Sequence, residues 1–129
     1  MINTDRPALV IGDTVTTDVV VDGLVSGGFQ EVYTASDHAS AWKQLEEHAV
    51  EIVFVERLTP GIDGLKLLQE IRGNREYEHL AVVLLTPKIL SPADDWAARR
   101  AKVNGVLPGL FTGIDVLALI DHIFPDFGP

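Results

Sequence analysis

Three polar residues close three apolar runs. Asp13 follows "ALVIG", Glu56 follows "EIVFV" and Thr86 follows "AVVLL". Each run reads as a strand covered on both faces, so the chemical question is why a buried strand delivers a carboxylate such as Glu56 to its tip. Other chemistries find little support. His38, His48, His79 and His122 match no zinc or acid–base spacing and are expected on the solvated surface. There is no Ser-His-Asp elbow, and the glycines at 23, 27 and 28 do not form the G-x-G-x-x-G loop of a dinucleotide or flavin site. Zero cysteines exclude disulfides and thiolate metal sites. No catalytic residue is assigned.

Positioning these residues requires a regular alternation of elements. Strand-length runs are expected at 8–12, 31–35, 51–55, 81–85 and 105–109, the second alternating in polarity and so placed at a sheet edge. Helices are expected between them. "DGLKLLQEIR" has Asp63 as a cap and Leu65, Leu68 and Ile71 as a stripe; "SPADDWAARRAKVNG" has Ser91 at the N-cap, Pro92 in the first turn and a stop near Asn104-Gly105. Thr112 and Asp115 repeat the capping device before Leu117, Ile120 and Phe124. In "SDHASAWKQLEEHAV" Trp42, Leu45 and Ala49 share a face, while "TDVVVDGLVSGG" is interrupted by Gly23.

Five β-α units in 129 residues predict a single α/β domain over 1–125, with 126–129 as a tail or the start of a linker. The expected fold is a flavodoxin-like doubly wound parallel sheet of order 2-1-3-4-5, whose site lies where the first and third strands end. Asp13 and Glu56 would share that crevice, joined by Thr86. A net charge of -9 argues against nucleic acid or an anionic membrane as partner, leaving a protein or a cation. No apolar run spans a bilayer, and the polar opening "MINTDRPALV" is unlike a signal peptide, so a cytoplasmic location is expected.

The segments "ALVIGDT", "GFQEVYTASD", "EIVFVERLTPGIDGLKLLQEIR", "LAVVLLT" and "VNGVLPGLF" resemble, in order and spacing, the receiver domain of two-component response regulators over residues 8–124. The resemblance implies an acidic pair that binds magnesium, a phosphorylated aspartate, a hydroxyl that senses it and a lysine that pairs with it. The positions that match carry Gly12-Asp13, Glu56, Thr86 and Gly109, so one acid, the aspartate and the lysine are missing. Val106 stands where many members have an aromatic ring. Asp13 and Glu56 are at best weak magnesium ligands, and no other cofactor is expected.

These departures predict a degenerate receiver, a protein-interaction module in two-component signalling that works without phosphorylation. The alternatives are a phosphorylatable receiver with relaxed chemistry and a flavodoxin-like ligand binder. Glu56 is read either as a phosphomimic reaching toward Thr86 or as a solvated inherited acid; Thr86 itself has a plainer role in bonding the backbone at its strand end. The resemblance also implies association through the fourth helix, fifth strand and fifth helix. A homodimer there would use Arg99, Arg100 and Asp115. Trp96 is expected to pack on the sheet beside Ala93 and Ala97, with a rim anchor as the alternative, and Asp94-Asp95 to complement the helix dipole.

Overall fold

The computed structural model describes residues 3–125. Five parallel strands form the sheet: β1 (Ala8–Ile11), β2 (Val32–Ala35), β3 (Ile52–Glu56), β6 (Ala81–Thr86) and β7 (Gly105–Pro108). Their order is β2-β1-β3-β6-β7, the expected 2-1-3-4-5 topology with the alternating strand at an edge. A short antiparallel pair, β4 (Leu58–Thr59) and β5 (Ile62–Asp63), flanks the Pro60-Gly61 turn.

Alternation along the strands divides the core. Val10, Phe54, Val83 and Leu107 point to one face, where they meet Val20 and Leu24 of α1 (Val15–Ser26) and Val116 and Ile120 of α5 (Gly113–Ile123). Leu9, Val53, Val55 and Leu84 point to the other. There they meet α2 (His38–Glu47), α3 (Gly64–Arg72) and α4 (Pro92–Arg100) through Leu45, Leu68, Ile71 and Ala98. Phe54 and Leu84 have no solvent exposure, and burying one such side chain contributes about 1.5–3 kcal/mol.

The helix starts follow the capping chemistry. Asp63 accepts from the amide of Lys66, Ser91 from Asp94, and Thr112 with Asp115 forms a reciprocal capping box. Gly23 does not break α1, because Gly113 of α5 packs directly against it.

The helix ends and faces differ from expectation in three places. α2 stops at Glu47, so Ala49 lies beyond it and is exposed, and Ala41 joins Leu45 in the buried stripe. α4 stops at Arg100, before the Asn104-Gly105 signal, with Lys102 taking the left-handed φ of 57° that usually falls to glycine. Arg72 favours this early ending by donating to the carbonyls of Ala101 at 3.0 Å and Lys102 at 2.9 Å. Trp96 does not pack on the sheet: it is 63% exposed. Ala98 sets the buried face of α4, and a residue two positions away lies about 200° around the helix.

Among the described residues no helix is long and apolar enough to cross a membrane. The tail at 126–129 lies outside them.

Candidate functional site

Parallel register brings the strand tips together. Ile11 lies opposite Val55 and Glu56 opposite Leu85, which puts Gly12 alongside Glu56 and Thr86 one strand further on. Glu56 is only 5% exposed, so it is not the solvated strand-tip acid that one reading expected. Its Oε1 accepts a hydrogen bond from the hydroxyl of Thr14, while its Oε2 is buried without a hydrogen-bond partner.

Gly12 explains how the longer side chain fits. A Cβ on residue 12 would lie 2.6 Å from Glu56 Cδ and 2.5 Å from Thr17 Cγ2. The backbone there has a φ of +152°, which side-chain-bearing residues rarely adopt. Glu56 thus folds back over the place where a residue-12 side chain would stand.

The hydroxyl of Thr86 points elsewhere. It donates to the carbonyl of Lys88 at 2.7 Å, so the expected reach of Glu56 toward Thr86 is not what the chain does. Both residues line one cavity of about 150 Å³, with Thr14, Thr16 and Arg57. Asp13 is exposed and lines a separate cavity of about 830 Å³ that includes Ser36 and Thr34. Thr14, the cap of α1, lines both, and Gly12 of the larger cavity lies directly against Glu56 of the smaller one.

Gly109 has left-handed backbone at φ +65° and donates its amide to the carbonyl of Thr86 at 2.8 Å. A lysine here would carry strain of about 1–2 kcal/mol. Two residues that matter were not singled out by sequence. Thr14 was recognisable as a hydroxyl residue just before a helical segment, where N-caps sit. Arg57 gave no signal: its Nη1 donates to Asp63 at 2.9 Å and its Nε to Asp94 at 3.1 Å, joining the tip of β3 to β5 and to the first turn of α4. Asp94 therefore holds an ion pair as well as complementing a helix dipole.

The remaining candidates lie apart from this cavity. Arg99 pairs with Asp95 at 2.9 Å in its own helix, Arg100 stacks over Trp96 at 5.0 Å, and Asp115 is held in the capping box of α5. These contacts within the chain occupy groups expected to meet a second protomer. Val106 is half-buried against the α2–α4 side of the core. Two histidines are more engaged than a solvated surface implies: His38 pairs with Glu70 at 3.1 Å, and His48 stacks on Tyr33 with centroids 3.7 Å apart.

Residues 9–121 match the response regulator receiver domain. The chain belongs to this family. Its sequence is 29% identical to the chemotaxis protein CheY-3 of Vibrio cholerae over 125 residues, covering 96% of this chain and 95% of that one. Its fold superposes on the chemotaxis response regulator CheY4 of Vibrio cholerae with a TM-score of 0.81 at 19% identity, over 93% and 99% of the two chains. It also superposes on the receiver domain of the sensor histidine kinase PA1611 from Pseudomonas aeruginosa PAO1, with a TM-score of 0.77 at 21% identity, over 92% and 96%.

Magnesium, which the resemblance to receivers implies, does not suit the side chains this receiver presents. Position 12 offers no ligand, Glu56 spends one oxygen on Thr14 and buries the other, and Asp13 stands in the other cavity. Among the described residues no group of three or more acidic or histidine side chains is placed to hold an ion. Octahedral coordination with its dehydration cost needs more carboxylate than this.

Proposed function

We propose that this receiver is a protein-interaction module of two-component signalling that works without phosphorylation. The observation that carries the reading is the folding of Glu56 over Gly12, where its carboxylate is engaged by the α1 cap instead of facing a phosphodonor. In-line attack needs the nucleophile about 3–3.5 Å from the reacting atom and correctly aimed. A buried oxygen meets neither condition. No lysine follows Lys102, and Arg57, next in sequence to Glu56, is committed to Asp63 and Asp94, so a transferred phosphoryl group would lack its fixed countercharge.

The test is an amide NMR titration of the wild type and of Glu56→Asp with magnesium and beryllofluoride, which imitates an acyl phosphate. The wild type is expected to show no shifts at residues 13, 56 and 86. Broad magnesium-dependent shifts extending into α4 would overturn the reading and identify a phosphorylatable receiver with relaxed chemistry.

A further inference from the structure

We propose that the Glu56 cavity binds a primary ammonium group, the head of a small protonated amine, in place of the magnesium that does not suit it. The inference deepens the reading above and rests on it, since it takes the Glu56 carboxylate to be turned inward and unphosphorylated.

Two polar atoms of the cavity wall call for a donor. Glu56 is 5% exposed, and its Oε2 is buried without a hydrogen-bond partner while its Oε1 is held by the Thr14 hydroxyl. The Thr59 hydroxyl, which lines the same cavity, is also buried without a partner. Native chains rarely leave such atoms unpaired, and a carboxylate is among the costliest groups to leave so. The neighbouring guanidinium does not meet the need. Arg57 lines the cavity, yet its Nη1 donates to Asp63 at 2.9 Å and its Nε to Asp94 at 3.1 Å. The charge of Glu56 is left for another cation.

The walls select the kind of cation. The cavity, of about 150 Å³, admits only a small group. An ammonium head carries three N–H donors that turn freely about its stem. Glu56 Oε2 and the Thr59 hydroxyl take two of them. The Thr86 hydroxyl gives its proton to the carbonyl of Lys88 at 2.7 Å and keeps acceptor capacity for the third. A guanidinium would bring five donors in a fixed fork, more than these acceptors satisfy. A divalent metal would need an octahedral set of oxygens and meets one free carboxylate oxygen. Leu58, Leu85 and Pro87 complete the wall and suit the short alkyl stem of an amine. Two sources share this chemistry: a free amine, and Lys88, whose exposed residue follows Pro87 of the wall.

The probe is methylammonium chloride, titrated into the ¹⁵N-labelled full chain in magnesium-free buffer, for the wild type and for Lys88→Gln. Tetramethylammonium, which has the charge but no N–H, and potassium are the controls at matched ionic strength. Saturable shifts are expected at Thr14, Glu56, Thr59 and Thr86 with methylammonium alone. Glu56→Gln keeps the shape of the side chain and removes its charge, and is expected to weaken binding roughly tenfold. Tighter binding by Lys88→Gln than by the wild type would identify Lys88 as the resident ammonium; equal binding would identify a free amine. No saturable response in either chain would leave the cavity to ordered water and overturn the proposal. An equal response to either control, or undiminished binding by Glu56→Gln, would overturn it too. A separate titration with magnesium and beryllofluoride tests the reading beneath it. A response there counts against a receiver that works without phosphorylation, whereas the amine site is judged by the methylammonium shifts.

Discussion

Gly12 and Glu56 compete for one volume, since a Cβ on residue 12 would stand 2.6 Å from the Cδ of Glu56. The missing side chain at position 12 and the placement of Glu56 are thus structurally linked. A longer acid at position 56 fits because position 12 has no side chain, and the Thr14 hydroxyl then holds the acid in place.

Gly12→Ala should therefore cost about 2–4 kcal/mol, from overpacking and from a backbone angle that alanine resists. In a Glu56→Ala background the cost should shrink by about 1–2 kcal/mol, because the clashing partner is gone. Urea unfolding of the wild type, both single variants and the double variant measures this coupling. Strictly additive effects would show that the two residues do not share the space.

Arg57 ties the residue next to Glu56 to α4 through Asp94 and to β5 through Asp63. Its side chain is only 18% exposed, but its partners are more open, so the pairs are partly screened. Arg57→Leu should destabilise the chain by about 1–2 kcal/mol. It should also speed amide hydrogen exchange in the first turn of α4. Unchanged exchange at residues 92–96 would mean that Arg57 does not anchor the helix.

Arg72 gathers the carbonyls of Glu78, Leu80, Ala101 and Lys102 and the side chain of Asn104, at 2.7–3.0 Å. Burial lowers the pKa of its guanidinium below the usual arginine value. Removing it leaves several carbonyls without a donor. Arg72→Ala is expected to cost about 2–4 kcal/mol, and Arg72→Lys to recover only part of that, because an ammonium cannot present the planar fork. Full recovery by lysine in thermal unfolding would reduce the role of Arg72 to charge.

Asp37 caps α2, and the hydrogen bond from the Ser40 amide, followed by that from its hydroxyl, lowers its pKa from 3.8. A depressed carboxylate stabilises the fold above its unfolded pKa, and the contribution is lost as pH falls through the lower folded value. The stability difference between the wild type and Asp37→Ala should hold at neutral pH and disappear only below about pH 4. A difference that already fades between pH 7 and 5 would show that the Asp37 cap is not its source.

Much of this architecture was legible because its causes are local. Apolar runs of strand length fixed β1, β3 and β6. Asp63, Ser91 and Thr112 with Asp115 fixed three helix starts, since a cap needs only the amides two or three residues ahead. Trp96 shows where local reading fails. With alanines on both sides, the sequence does not reveal which face of α4 meets the sheet, and Ala98 turns the ring outward.

The sequence by itself determined the receiver topology and the identities of the residues at the strand tips, Gly12, Asp13, Glu56, Thr86 and Gly109. It did so because period, capping and family spacing are properties of neighbouring residues. Only the tertiary structure decided what Glu56 does. Its side chain has room in several directions until Gly12 leaves a space and Thr14, 42 residues away, supplies a donor. The Arg57 bridges and the Arg72 cluster arise the same way. Each depends on long side chains that meet only once the sheet has set their register.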